Sequence, residues 1–194
     1  MAAGTRQRMV EAAAVLLRDG GMEAANFSDV LDLSGAARGA IYHHFPQGKS
    51  EMIHAAVTWT GERVRANLDA LPGDDASQVV TAFLEAIRPV VGEASTGSSC
   101  AVAAVVLQAG QRDASLTANA HTALQSWIDA LDVRLSTAGA APPVARQIAV
   151  LLITFLEGTQ VLCRAAGDLA AFDEASAAIF ALINTRLQNR RPAA

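Results

Sequence analysis

One lysine, one tyrosine and two cysteines are all that 194 residues hold of those types, and aromatics make up only 5%. The cysteines, Cys100 and Cys163, lie far apart without metal-ligand spacing, which favours free thiols over a disulfide and leaves no metal site. Runs of alternating β-branched residues are missing, so a sheet protein is not expected. The richest apolar run, Ile148–Leu156, is interrupted by Thr154 and falls well short of the ~20 residues that span a bilayer. Met1–Gly4 is too short for a leader before a helix begins, so a soluble, cytoplasmic protein without membrane partners is expected. The four histidines, two cysteines and scattered carboxylates form no metal spacing, nucleophile elbow or phosphate loop. His43 and His44 are adjacent, hence about 100° apart on a helix, and chelate no ion well. Neither catalysis nor a cofactor is expected.

What the chain has is alanine, the best helix former, within a composition 52% hydrophobic and 18% charged. An all-α fold of nine helices follows from the spacing of apolar residues and the turns between them. The first helix opens at Thr5 as N-cap and ends at Gly20–Gly21, with Met9, Ala12, Ala13, Leu16 and Leu17 inward. Asn26 caps a short second helix, Phe27–Leu33, which Gly35 ends. The third spans Ala37–His44, since Pro46 cannot continue it. Gly48 or Ser50 starts a fourth, reaching Leu71, and Asp74 or Asp75 a fifth over Ala76–Gly92, which Pro89 kinks or shortens. Cys100–Gln111 is apolar on nearly every side and therefore expected to be buried. Ser115–Ala138, Val144–Ala166 and Ala170–Gln188 complete the nine.

The net charge of −4 and pI near 5.5 exclude a general nucleic-acid coat protein, but not a local DNA-reading surface. Ser34–Lys49, SGAARGAIYHHFPQGK, has that character. No carboxylate stands between Asp32 and Glu51, whereas Arg38, His43, His44 and Lys49 do. Two short helices joined by a glycine turn make a helix-turn-helix, about residues 26–45, with the first helix as its third wall. A recognition helix entering a groove about 12 Å wide needs small residues around a few readers. Ala36, Ala37, Gly39 and Ala40 are small, and Arg38 is placed to fork onto guanine or a phosphate. Tyr42 and His43 suit phosphate oxygens or a thymine methyl, and Ile41 and Phe45 face inward. Lys49 sits where a helix N-terminus already favours an anion. Candidate DNA-binding residues are Asn26, Ala37, Arg38, Gly39, Tyr42, His43, His44 and Lys49.

Thr5–Ile53 resembles the N-terminal DNA-binding domain of the TetR family of bacterial regulators. The family pattern G-x-x-[RK]-G-x-[IL]-Y-x-H-F is matched by Gly35, Arg38, Gly39, Ile41, Tyr42, His44 and Phe45. Phe45-Pro46-Gln47-Gly48-Lys49 is similar to the F-P-x-G-K of the LmrA/YxaF-like subgroup, and Ser99-Cys100-Ala101-Val102-Ala103-Ala104 to its G-C-P-V-A-A. Subgroup members usually carry proline where Ala37 stands and serine where Ala40 stands, so the turn opens with fewer constraints and one hydroxyl less.

The resemblance implies a DNA-binding domain at 1–50 and an effector-binding and dimerisation domain at 51–194. It implies a homodimer on a palindromic double-stranded operator, with heads about 34–36 Å apart or somewhat more. The last two helices form the seam in this family; Leu151, Phe155, Gly158, Leu162, Ile179 and Ile183 are the candidates, because Val144–Ala166 is apolar almost all round. A small-molecule cavity is also implied. Polar side chains stranded on apolar helices, with aromatic walls, nominate Trp59, Phe83, Gln108, His121, Gln125, Trp127, Phe155 and Glu157. Their chemistry suits a small apolar or aromatic effector. A repressor released by such an effector is the leading expectation. The alternatives are an activator of the same fold and a helical adaptor that docks on protein.

Overall fold

Alanine-rich segments punctuated by glycine and proline turns fold as α-helices throughout the computed structural model, which describes residues 4–110 and 113–188. Among the described residues there are nine helices and no strand: α1 (Thr5–Ala24), α2 (Phe27–Ser34), α3 (Ala40–His44), α4 (Lys49–Asp69), α5 (Ala76–Ser95), α6 (Ala101–Ala109), α7 (Ala114–Thr137), α8 (Pro142–Ala166) and α9 (Ala170–Gln188). They pack into two units. One draws on the described parts of Met1–Arg63 and Ser98–Gln125, the other on those of Val64–Gly97 and Ser126–Ala194, so α4 and α7 contribute to both.

In the first unit α1 is the hub, packed on α2, α3 and α6. Met9, Ala12, Ala13 and Leu17 are buried as their spacing predicts, while Leu16 is only half-buried. Gly4, not Thr5, is the N-cap, and no side chain caps this end. Hydrogen bonding also carries α1 past the expected stop to Ala24, across a break at Gly21 with φ 71° and ψ −163°. Two ends of α6 are fastened to α1. Ser99 donates to the Arg18 carbonyl through its N–H (2.8 Å) and its hydroxyl (2.9 Å), and Ser98 Oγ donates to Asp19 (3.0 Å). At the other end Gln108 Oε1 accepts from the Met22 N–H at 2.6 Å. α6 is not buried all round: Leu107 is 80% exposed. The expected end of this helix, Gln111, lies outside the described residues. α4 is laced to α7 by Ser50 Oγ to Asp113 Oδ2 (2.8 Å) and Asn119 Nδ2 to the His54 carbonyl (2.9 Å).

In the second unit α5 packs on α8 and α9, and α8 on α9. Asp75 caps α5 by accepting from the Gln78 N–H at 3.0 Å. The helix runs through Pro89 to Ser95 instead of stopping there. Pro89 and Glu85, the residue whose carbonyl loses its donor, are both exposed, so water can satisfy that carbonyl. Arg134 closes the turn after α4, donating to the carbonyls of Leu71 (2.8 Å) and Gly73 (2.5 Å). By length and composition α8 is apolar enough to cross a membrane, although no unbroken run in it suggested this. Its Val144, Ile148, Leu152 and Leu156 are buried, whereas Val150, Leu151, Val161 and Leu162 are exposed.

Candidate nucleic-acid interface

The helix-turn-helix is assembled by local devices. Asn26 Oδ1 accepts from the Asp29 N–H (3.0 Å) and its Nδ2 donates to Asp29 Oδ2 (2.7 Å), which sets the start of α2. Asn26, expected at the DNA surface, thus has both ends of its amide engaged within the chain. Gly35 ends α2 in the left-handed conformation, φ 64° and ψ 24°, where a side chain is costly. Arg8 Nε donates to the Ser34 carbonyl at 3.2 Å and ties α1 to that same end. Arg8 is therefore a strut within the head, an employment its place in the first turn of α1 did not suggest.

α3 is shorter than expected. It begins at Ala40, and Arg38–Gly39 form a turn that Ala40 N–H closes on the Ala37 carbonyl at 2.9 Å. Neither Ala37 nor Gly39 has a side chain that can cap an N-terminus, so the helix starts only where backbone bonds sustain it. Ala37, Arg38 and Gly39 accordingly occupy the approach to the helix, and all three are exposed. Ile41 (1% exposed) and Phe45 (0%) pin α3 inward. On the outer side Tyr42 is 69% exposed, His43 is exposed and His44 half-buried, with the two imidazole rings edge to face at 5.0 Å. Phe27, the first residue of α2, meets Tyr42 at 5.7 Å between centroids and 89° between planes. Arg6 from α1 lies over the Phe45 ring, 5.2 Å from its centroid.

Beyond the turn Gly48 takes φ 87° and Lys49 opens α4, half-buried at its N-terminus. Glu51 Oε2 accepts from the Gln47 N–H at 2.9 Å and keeps its negative charge in the same corner. Behind it an open groove of about 610 Å³ is lined by Arg6, His54 and Trp59 together with the carboxylate residues Glu51 and Glu62, with Arg63 stacked 5.4 Å over the indole. The surface thus presents Arg38, Tyr42, His43 and Lys49 with no carboxylate in the stretch between Asp32 and Glu51. Sequence reasoning makes Phe27 the start of α2 and sets Arg6 in the first turn of α1 as a phosphate contact or a solvated side chain; their ring partners lie 15 and 39 positions away along the chain.

The nominated effector residues fall in both units. Phe83 and Trp127 are core residues of the second, Phe155 is tilted against Phe172 at 5.7 Å, and Glu157 is half-buried. In the first, Trp59 lines the groove just described, Gln125 is half-buried, His121 is exposed, and Gln108 is exposed and holds Met22. Of the nominated seam residues, Leu151, Gly158 and Leu162 are exposed and Phe155 half-buried. Ile179 (7% exposed) and Ile183 (2%) are covered within the chain, and the large hydrophobic residue exposed on α9 is Leu182 (69%).

Comparison with known proteins agrees with this geometry. Residues 9–56 match the bacterial regulatory proteins of the tetR family, and residues 76–178 match the C-terminal domain of LmrA/YxaF-like transcriptional regulators. An HTH-type transcriptional regulator of Mycobacterium tuberculosis is 35% identical over 175 residues, 88% of this chain and 89% of its own. The HTH-type transcriptional regulator LmrA of Bacillus subtilis is 23% identical over 161 residues, 79% of this chain and 83% of its own. Among solved structures, a TetR transcriptional regulator from Legionella pneumophila superposes with TM-score 0.79 at 22% identity, covering 96% of this chain and 98% of its own. A TetR-family regulator from Cytophaga hutchinsonii gives 0.77 at 20% identity, covering 93% and 94%. The chain belongs to the TetR family of DNA-binding transcriptional regulators, in its LmrA/YxaF-like branch, and is not an enzyme.

Proposed function

We propose that this regulator is a cytoplasmic homodimeric repressor, held on a palindromic operator by residues 1–50 and released when residues 51–194 take up a small apolar or aromatic effector. The observation that carries the reading is the stretch without a carboxylate between Asp32 and Glu51, on which Arg38 and Tyr42 stand exposed, with Lys49 at the head of α4. Arg38 acts as the base reader, and Tyr42, His43, His44 and Lys49 grip the backbone. A single head reads few base pairs, so two copies reading successive major grooves are required for specificity.

The exposed stripe Val150, Leu151, Val161 and Leu162 on α8, with Leu182 on α9, supports a second copy as the covering partner. An open groove of about 860 Å³ along α8 and α9, lined by Leu151, Thr154, Leu182 and Arg186, offers room for its helices. Gly158 on the same helix lets a partner backbone approach closely. Within the second unit Phe83, Trp127, Phe155 and Glu157 provide the aromatic and polar chemistry that an effector of this class needs.

The test is selection of duplexes from a random pool, followed by a compound panel scored for release. A palindromic consensus, bound with strong salt dependence and freed by an apolar compound, is the expected result. Binding without sequence preference, or with no salt dependence, would place the head on another partner. Increased transcription from the selected site in a reporter would make the protein an activator.

A further inference from the structure

We infer that Phe27 is a positioning residue for DNA recognition, holding the Tyr42 ring in the orientation in which its phenol meets the duplex. The inference rests on the reading that Tyr42 faces DNA. α3 has only five residues and no side-chain cap, so its own backbone constrains outward side chains weakly. Its anchors are Ile41 and Phe45, both buried. Tyr42 follows Ile41 by one position and so projects about 100° away from it, which means the core does not hold its ring. A 69% exposed tyrosine in that position is free to sample rotamers. The contact that limits it comes from α2: the Phe27 and Tyr42 rings stand at 89°, 5.7 Å apart, the edge-to-face geometry that the ring quadrupoles favour.

Phe27 is itself well placed for this task. It directly follows Asn26, whose bonds to the Asp29 N–H (3.0 Å) and carboxylate (2.7 Å) fix the first turn of α2. Orientation is thereby passed from a capped helix to an uncapped one through a pair of rings. Ordering an exposed side chain on binding costs affinity, and a ring already ordered in the free protein avoids that cost. The expected gain for one two-torsion side chain is roughly twofold to tenfold in affinity.

Tyr42 is the one tyrosine in the chain, so 3-fluorotyrosine labelling yields a single 19F resonance that reports this ring alone. The probe for binding is a duplex selected from a random pool. Phe27→Leu keeps apolar bulk but removes the aromatic ring; it is compared with Tyr42→Ala and with the double variant. The inference requires Phe27→Leu to weaken binding roughly twofold to tenfold, to sharpen and shift the free-protein resonance toward that of a mobile tyrosine, and to cost nothing further once Tyr42 is alanine. Equal losses with and without Tyr42 would show that Phe27 acts on the head as a whole, and overturn the inference. So would an unmoved resonance. If Tyr42→Ala leaves affinity unchanged and the resonance ignores added duplex, the underlying reading of Tyr42 is what fails, and the inference falls with it.

Discussion

Gln108 occupies the space that a side chain on Gly21 would need. A Cβ on Gly21 would lie 2.3 Å from Gln108 Nε2 and 2.6 Å from its Oε1, the same oxygen that accepts from the Met22 N–H. Gly21 also takes φ 71° and ψ −163°, a region essentially closed to other residues. The end of α1 is therefore shaped around a side chain from α6, and a glutamine nominated as an effector ligand has a local structural task.

Gly21→Ala is expected to destabilise the protein by more than about 1 kcal/mol, since the backbone strain alone is worth about 1–3 kcal/mol. Shifting Gln108 aside would in addition break its bond to Met22. Introducing Gln108→Ala beside it relieves the clash but not the strain, so only part of the loss should return. Thermal melts of the two single variants and the double variant measure this. An unaltered midpoint for Gly21→Ala would mean that α1 can end in another conformation.

Asp113 lies at the head of α7 with its carboxyl held below the ordinary value of 3.8, first by the Ser50 hydroxyl, then by the Leu116 N–H and by Ser115. Those bonds are 2.8, 3.1 and 2.8 Å long. A carboxyl depressed in the folded state stabilises it above the unfolded value and loses that contribution as pH falls through the folded one. The melting-temperature advantage of the parent over Asp113→Asn should therefore be constant at neutral pH and shrink only below about pH 4. Ser50→Ala removes the largest cause, so the advantage at neutral pH should be smaller and its loss complete at a higher pH. An advantage that vanishes between pH 6 and 8, as flagged by melts about one pH unit apart, would point to a histidine instead.

Arg38→Ala should cost about 1–3 kcal/mol on the selected duplex and relax preference at one base-pair position in each half-site. Arg38 stands on an exposed turn ahead of α3, from which, on the proposed reading, its side chain reaches a groove without the helix moving. Binding measured on a panel of single-base variants separates the roles. If affinity falls equally on every duplex, Arg38 touches phosphate only.

Lys49→Ala should lower the slope of log affinity against log salt by about 1 per head, with sequence preference retained. Its ammonium adds to the partial positive charge at the start of a 21-residue helix. Titrations at several salt concentrations supply the slope. An unchanged slope removes Lys49 from the interface.

The elements that could be anticipated from sequence are those whose causes are local. Asn26 before Phe27, Gly35 after Ser34 and Asp75 before Ala76 act within a few residues, and each behaves as its chemistry demands. α3 starts later than its sequence suggests because small helix-compatible residues extend the pattern over Ala37–Gly39, whereas nothing there can satisfy the first free N–H groups. Ile179 and Ile183 show a different limit. Periodicity finds an apolar stripe on α9, but not whether that stripe meets its own protomer or a partner. Both residues turn inward, and Leu182 outward. The Phe27–Tyr42 pair and the Gln108 clamp join residues 15 and 86 positions apart, beyond the reach of any local pattern.

Gly158→Leu is the cleanest probe of the proposed seam, because the substitution has little to disturb within one protomer. Gly158 is exposed in the body of α8, and a Cβ there would meet no atom within 4 Å. Leucine is a better helix former than glycine by about 0.8 kcal/mol, so the isolated chain should be slightly stabilised. If α8 of a second copy packs closely at this point, the added side chain forces the backbones apart and exposes Leu151 and Leu162 again. Sedimentation should then show monomers, with circular dichroism unchanged and affinity for a palindromic duplex reduced to that of a half-site. Val161→Asp on the same exposed stripe repeats the test with a charge that a dry seam cannot accept. A dimer that survives both substitutions would put the interface on a different face.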